Sequence, residues 1–236
     1  MSELAAARHR TLDGRYVLLE LIARGGMGEV WRAHDAELDR PVAIKRIATE
    51  RRSDDARVWR EARATARLRH PAIVELFEVR KDDDGRPFLV MELIEGVDLA
   101  THVRHTGALD AVEAARMVLP ILGGLAIAHA ANIVHRDLKP ENVLLARLSD
   151  GSVQPKIVDF GIAQMLEAGT RLTVGLLGTP ETMAPEQLEL GLAVGPAADL
   201  WAVCVTLYFL VAARMPFGGD DLATVFRSIR SSPVPY

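Results

Sequence analysis

The spacing of apolar residues changes near Gly96, and this change restricts the fold more than any other feature of the chain. Before it, residues 16–47 alternate short apolar runs with turn-forming residues, which is typical of antiparallel strands. After it, apolar residues recur at helical spacing, and the segment ADLWAVCVTLYFLVAA is apolar on every face. We therefore expect an α+β protein with a strand-rich first part and a mainly helical second part, where that segment is buried in a large core.

The first part is predicted to hold a small antiparallel sheet with one helix inserted. The predicted strands are YVLLELI, VWRAHD, RPVAIKRI, IVELFEVR and PFLVMEL, with a hairpin turn in KDDDGR between the last two. A helix is expected from Asp54 to Arg69, because apolar residues recur there at helical spacing and Pro71 follows. The arginines in this region are interpreted as a solvated helix face.

A long helix is expected in the second part. Its apolar stripe is predicted to consist of Val112, Ala115, Leu119, Leu122, Ala126 and His129. Pro120 and the pair Gly123 and Gly124 each weaken a helix interior, so we expect a kink or local loosening near Pro120.

Composition excludes several classes of protein. The 236 residues are 49% hydrophobic, which is enough for one large domain or two lobes, and a net charge of -4 gives no reason to expect nucleic acid as a partner. Cys204 is the single cysteine, so an internal disulfide is excluded and a reducing, cytoplasmic location is predicted. Cys204 itself is expected to pack as a small buried residue.

The longest apolar run is too short to span a bilayer, so any membrane anchor would lie in a longer form of the protein.

The glycine-rich stretch ARGGMGEV follows a predicted strand, and taken alone it fits both a phosphate-binding loop and a flexible turn. Lys45 ends the next strand, VAIK, and shares a face of it with Ala43, since side chains alternate along a strand. Glu61 in the predicted helix could pair with the Lys45 ammonium and hold it for an anion. The alternative for Lys45 is a solvated strand lysine.

The segment IVHRDLKPENVLL carries the strongest chemical signal. Asp137, Lys139 and Asn142 lie within six residues, in a loop that Pro140 keeps from being helical. Further along, IVDFG places Asp159 directly after a strand-like pair. Magnesium prefers oxygen ligands, so the Asp159 carboxylate and the Asn142 amide oxygen suit a metal that also binds phosphates.

The order of these motifs resembles that of the protein kinases: ARGGMGEV, VAIK, Glu61, HRDLKPEN, DFG, GTP and APE. The sequences GGMGEV and MAPEQ are most similar to those of bacterial, eukaryotic-type Ser/Thr kinases. The resemblance covers the chain from Tyr16 to its end. It implies a bilobal fold with an N-terminal extension at residues 1–15, an N-lobe at 16–95 and a C-lobe at 96–236 that lacks its final helices. It also implies transfer of the ATP γ-phosphate to Ser and Thr hydroxyls of proteins, with Mg²⁺ or Mn²⁺ as the metal.

By the same resemblance, Asp137 orients the substrate hydroxyl and accepts its proton, and Lys139 contacts the γ-phosphate. Asn142 and Asp159 hold the metal ions, while Lys45, positioned by Glu61, holds the α- and β-phosphates. The other residues expected to bind ATP are Ile22, Gly25, Gly26, Gly28, Val30, Ala43, Met91, Glu92, Ile94, Asp98 and Leu144. The alternative for the apolar members is simple core packing, and for Asp98 a helix N-cap.

Two further features of the resemblance concern specificity and control. Lys139 and Thr179 of the GTP element are similar to the residues of Ser/Thr rather than tyrosine kinases. Arg136 could pair with a phosphothreonine, for which Thr173 is the first candidate and Thr170 the second; an unmodified loop is the alternative. A homodimer would allow such autophosphorylation.

Four departures leave a rival open. Ala23 replaces the first glycine of the usual loop motif, Cys204 replaces a glycine of the C-lobe helix, Thr182 stands near a position that is usually aromatic, and the arginine that pairs with Glu186 would follow the last residue. The rival is a nucleotide-binding pseudokinase or scaffold. A dinucleotide-binding oxidoreductase is rejected, because the glycine stretch opens no helix.

A metal pair of His129 and His135 is also rejected, because two histidines six residues apart do not share a helical face. His135 is expected to pack beneath Phe160.

Overall fold

The chain divides into two compact units, each with its own core. The computed structural model describes residues 11–25, 28–47, 65–160, 180–189, 191–231 and 233–234. One unit comprises residues 1–66 and 75–93, and the other residues 67–74 and 94–236. Residues 67–74 therefore belong to the second unit although they lie, in sequence, between the two segments of the first unit.

The described part of the first unit is a six-stranded sheet. Its strands are β1 (Thr11–Leu12), β2 (Tyr16–Gly25), β3 (Gly28–Asp35), β4 (Arg40–Ile47), β5 (Leu76–Lys81) and β6 (Pro87–Met91). They lie in the order β1-β2-β3-β4-β6-β5 and pair antiparallel throughout. The predicted strands and the β5–β6 hairpin are confirmed. The predicted helix lies outside the described residues as far as residue 64, and its predicted end at Arg69 is wrong, because residues 66–69 form a turn and irregular backbone before Pro71.

The core of the first unit lies on one face of this sheet. Val42 and Ile44 of β4 pack there with Tyr16 and Phe88, whose rings meet edge to face at 5.9 Å. Ala43 and Lys45 alternate with these core residues and are therefore on the opposite face, as the strand pattern predicts.

An ion pair with a buried carboxylate joins Arg15, the residue before β2, to Asp35 at the end of β3. The Nε and Nη2 atoms of Arg15 each lie 2.6 Å from the Asp35 carboxylate, which is fully buried. The amides of Glu37 and Leu38 also donate to Asp35, at 3.2 and 3.3 Å. The hydrogen bonds from Arg15, followed by those from the two amides, lower the pKa of Asp35 from 3.8 to about 2.

This shift predicts that the first unit loses stability in acid. Because the pKa of Asp35 is lower in the folded state, its contribution is present above pH 3.8 and disappears as the pH falls toward 2. The contribution amounts to about 2 kcal/mol. Urea unfolding at pH 5 and pH 2 should show the gap in unfolding free energy between the parent and Asp35→Asn narrowing by about that amount. A gap independent of pH would contradict the assignment.

The described part of the second unit combines four helices with a small sheet. Its elements are β7 (Gly96–Asp98), α1 (Leu99–Thr106), α2 (Ala111–Ala130), β8 (Val143–Arg147), β9 (Val153–Ile157), α3 (Pro196–Ala212), α4 (Leu222–Ser231) and 3₁₀ turns at Pro140–Asn142, Pro180–Thr182 and Pro185–Leu188. The sheet has the order β7-β8-β9. Residues 67–74 join it through a bridge between Ile73 and Ile157.

Helix α2 buries a different face from the predicted one. Val112 and Leu119 are 60% and 65% exposed, so the predicted stripe is wrong. The residues buried instead are Ala114, Val118, Ile121, Gly124, Leu125 and Ala128. The helix carries apolar residues on several faces, so their spacing alone fits more than one buried stripe. Close packing at small residues selects the buried face: a Cβ on Gly124 would lie 3.2 Å from Ile73. The helix also continues through Pro120 as one element.

Helix α3 is only half buried by the described residues. Leu200, Leu207 and Val211 are exposed, and so is the Cys204 thiol, so the expectation that this segment and its cysteine are wholly buried is wrong. Only the face that carries Ala198, Asp199, Ala202, Val203, Val205, Thr206 and Leu210 packs inward. Apolar composition on every side therefore did not require burial on every side.

Within the described part of the chain, one helix is long and apolar enough to cross a membrane by length and composition alone. It is α2, whose inner face packs inside the second unit. Core helices without any membrane role meet the same criteria, so this is weak support for a membrane span.

Candidate active site

The described residues of the glycine-rich stretch end β2 and begin β3. Gly25 pairs with Gly28, and Gly28 has a φ of 127°, a backbone conformation that side chains with a Cβ rarely adopt. Ala23 pairs with Val30 and has no positive φ, so its methyl group is compatible with the strand backbone. Because the stretch connects two antiparallel strands and opens no helix, it lacks the geometry of a dinucleotide-binding turn.

Several residues expected to bind ATP share one face of the first unit's sheet. Val30 lies directly opposite Lys45, and Ala43 lies directly opposite Met91, so these four side chains are on the face away from the core. Lys45 is only 6% exposed, which contradicts the alternative of a solvated strand lysine. Ile22, on β2, is exposed.

At the end of the first unit, Glu92 has its backbone amide occupied. That amide donates to the Glu75 carbonyl at 2.9 Å. The Glu92 backbone can therefore bind a ligand by accepting a hydrogen bond at its carbonyl oxygen.

In the second unit, Asp98 is the N-cap of α1. Its carboxylate accepts from the amide and the hydroxyl of Thr101, at 2.8 and 2.7 Å, so the N-cap alternative is observed. Leu144 lies directly opposite Asp98 in the β7–β8 ladder, and Ile94 precedes β7.

Asp137, Lys139 and Asn142 form a compact polar cluster, as the sequence predicts for a single loop. The Lys139 Nζ lies 3.3 Å from the Asp137 carboxylate, and both side chains are mostly buried. The Asn142 Nδ2 donates to the Asp137 backbone carbonyl at 2.7 Å and to its carboxylate at 3.2 Å. A carboxylate, an ammonium and an amide thus converge on one point.

The orientation of Asn142 suits a metal ligand. Both hydrogen bonds of its side chain come from Nδ2, and among the described residues its Oδ1 has no hydrogen-bond partner. The Val158 amide donates to the Asn142 carbonyl at 2.9 Å, which links the loop to the residue before Asp159. Asp159 itself has a φ of 62°, which is uncommon for a residue with a Cβ.

His135 packs against Phe160, as predicted. The two rings lie 4.9 Å apart, and His135 is fully buried. Its Nε2 lies 2.9 Å from the Val158 carbonyl, which can only accept, so Nε2 carries the hydrogen and Nδ1 accepts from the Asp137 amide at 3.3 Å. No group of three or more potential metal ligands occurs among the described His, Cys, Asp and Glu residues.

Asp199 holds this loop in place, and the sequence analysis missed it. Its buried carboxylate accepts from the His135 and Arg136 amides, each at 2.8 Å, and from the His129 Nε2 at 2.7 Å. Arg136 has a φ of 66°, a conformation that costs free energy unless neighbouring contacts fix it. The available signal was a lone carboxylate inside an otherwise apolar helix, since such a group is buried only with partners.

Some expected site residues lie outside the described residues. They are Gly26, Glu61, Thr170, Thr173 and Thr179. Their predicted roles remain predictions.

Comparison with known sequences gives consistent matches. Residues 16–233 match the protein kinase domain family. The chain is 42% identical over 234 residues to the serine/threonine-protein kinase PknA of Mycobacterium tuberculosis. This match covers 95% of the present chain and 53% of PknA. It is 40% identical over 229 residues to PknL of the same organism, covering 95% of this chain and 56% of PknL. The chain therefore spans about half the length of these curated relatives.

Proposed function

This chain belongs to the protein kinase domain family, and we propose that it transfers the γ-phosphate of ATP to serine and threonine hydroxyls of proteins. The observation that supports the proposal best is the cluster of Asp137, Lys139 and Asn142 in one loop. Phosphoryl transfer needs positioning and charge neutralisation more than a covalent nucleophile, and this cluster offers those two functions.

In the proposed reaction, the Asp137 carboxylate accepts the proton of the substrate hydroxyl. The hydroxyl oxygen forms a bond to the γ-phosphorus, and the bond from that phosphorus to the oxygen it shares with the β-phosphorus breaks, so that ADP leaves. The Lys139 ammonium, 3.3 Å from Asp137, neutralises charge on the transferred group. Asn142 holds Asp137 through the bond to its backbone carbonyl.

Protein kinases use ATP with a divalent metal ion, and here we propose Mg²⁺, with Mn²⁺ as a substitute. Asn142 would bind the ion through Oδ1, which has no other partner among the described residues, and Asp159 through its carboxylate. When bound, the metal neutralises charge on the nucleotide phosphates.

Residues of the first unit, together with a few of the second, are proposed to bind the rest of the nucleotide. Lys45 holds the α- and β-phosphates and is positioned by Glu61. The glycines at 25, 26 and 28 let backbone amides approach the phosphates. The side chains proposed to contact the adenine are Ile22, Val30, Ala43 and Met91 of the first unit and Leu144 of the second. The Glu92 and Ile94 backbones are proposed to bind its polar edge, and Asp98 the ribose.

Control by autophosphorylation is also proposed. Arg136 would pair with phosphorylated Thr173 or Thr170, and a homodimer would bring one copy to the other. An ATP-dependent reaction and a single cysteine suit the cytoplasm. The substrates and partners of the whole protein belong to this proposal too.

The test is an assay with γ-labelled ATP, Mg²⁺ and a generic acceptor such as casein, followed by analysis of the labelled amino acids. We expect phosphoserine and phosphothreonine and no phosphotyrosine. Nucleotide binding without transfer would favour the pseudokinase. In a parallel incubation without acceptor, the absence of phosphate at Thr170 and Thr173 would contradict the proposed phosphosites.

A further inference from the structure

Gln187 makes two hydrogen bonds of opposite kind. Its Oε1 accepts from the Ala184 amide at 2.9 Å, and its Nε2 donates to the Arg136 carbonyl at 2.8 Å. The Gln187 amide also donates to the Ala184 carbonyl at 2.9 Å, so the bonds to Ala184 are reciprocal. The side chain is thereby held within its own turn while its amide nitrogen reaches a residue 51 positions earlier.

The acceptor of this second bond has an unusual backbone. Arg136 has a φ of 66°, and a residue with a Cβ occupies this region only when surrounding contacts fix it. Asp199 fixes the peptide before Arg136 through its amide, and Gln187 fixes the peptide after it through its carbonyl. This second peptide also includes the amide of Asp137.

We propose that Gln187 is a positioning residue for Asp137, acting through the hydrogen bond from its Nε2 to the Arg136 carbonyl. This inference rests on the proposed phosphate transfer, in which Asp137 accepts the proton. Without the bond, this peptide is held only by its other end, where the Asp137 amide donates to the His135 Nδ1 at 3.3 Å. The peptide can then rotate more widely, and the Asp137 carboxylate leaves its productive orientation for part of the time. A displacement of about 1 Å at a reacting group costs on the order of 10²-fold in rate.

The chain offers a matched set of variants. Gln187→Glu keeps the oxygen that accepts from Ala184 but replaces the donor by an oxygen that repels the Arg136 carbonyl. Gln187→Met has a similar length and removes both bonds without adding charge, so it serves if the glutamate variant does not fold. Gln154→Glu is the control, because the Nε2 of Gln154 also donates to a backbone carbonyl, that of Pro155 at 3.0 Å, away from the loop.

Two measurements test the inference. We expect both Gln187 variants to lower kcat for phosphate transfer by about 10- to 100-fold with KM for ATP unchanged, and Gln154→Glu to change neither. Hydrogen exchange in a peptide that spans residues 133–138 should become several-fold faster in the Gln187 variants alone. A kcat of Gln187→Met equal to that of the parent would overturn the inference, and an unchanged exchange rate would show that Gln187 does not hold the peptide.

The two readouts separate this inference from the proposed function. If the parent chain transfers no phosphate, the proposed function fails, and hydrogen exchange still decides whether Gln187 holds the peptide between Arg136 and Asp137. If the parent transfers phosphate and Gln187→Met matches it in kcat, the positioning role alone fails.

Discussion

Asp137→Asn is expected to lower kcat for phosphate transfer by about 10²- to 10⁴-fold, the range for the loss of a general base. Asparagine has nearly the same shape and cannot accept the hydroxyl proton. Its carbonyl oxygen can still accept from Asn142, so the loop should keep its conformation. The measurement is steady-state transfer from labelled ATP, together with the affinity for ATP, which should change less than about threefold because the substituted group acts on the hydroxyl.

The matched control is Asp150→Asn, the same substitution in the exposed turn between β8 and β9, where Asp150 accepts from Ser152. It should leave kcat unchanged. Equal transfer by Asp137→Asn and the parent would remove Asp137 from its proposed role. A parent that binds ATP and transfers no phosphate would favour the pseudokinase.

The sheet of the first unit was predictable because its signals are local. Strands β2 to β6 follow from alternating side chains and from turns between short runs. The alternation also assigned Ala43 and Lys45 to one face and Val42 and Ile44 to the other. The cluster of Asp137, Lys139 and Asn142 was equally predictable, because three side chains within six residues of one loop lie close together, although distant contacts from Asp199 fix the backbone of that loop.

The helices of the second unit show where such reasoning stops. On α2 and α3, apolar residues lie on all sides, so hydrophobic spacing does not select the buried face. Contacts distant in sequence select it, such as the close approach of Gly124 to Ile73. Asp199 was missed for the same reason, since its three donors lie more than sixty residues away along the chain. Small residues and lone charges in apolar helices are therefore stronger indications of packing than the apolar residues around them.

Asp199→Asn is expected to destabilise the second unit by about 2–5 kcal/mol and to lower kcat as well. The Asp199 carboxylate accepts from three donors: the His129 ring and the amides of His135 and Arg136. Asparagine must turn its NH₂ group toward at least one of these donors. Because the site is fully buried, that donor loses its partner without gaining water. Urea unfolding and steady-state phosphate transfer measure the two effects.

His129→Phe provides the graded comparison for Asp199→Asn. It removes one of the three donors and leaves both backbone amides on the carboxylate, so the cost should be smaller, about 1–2 kcal/mol. The Arg136 amide still donates to the Asp199 carboxylate in this variant. The left-handed backbone of Arg136 and the adjacent Asp137 should therefore keep their positions, and kcat should change little. A larger loss of kcat in His129→Phe than in Asp199→Asn would mean that the histidine, rather than the bonds to the loop backbone, sets the position of Asp137.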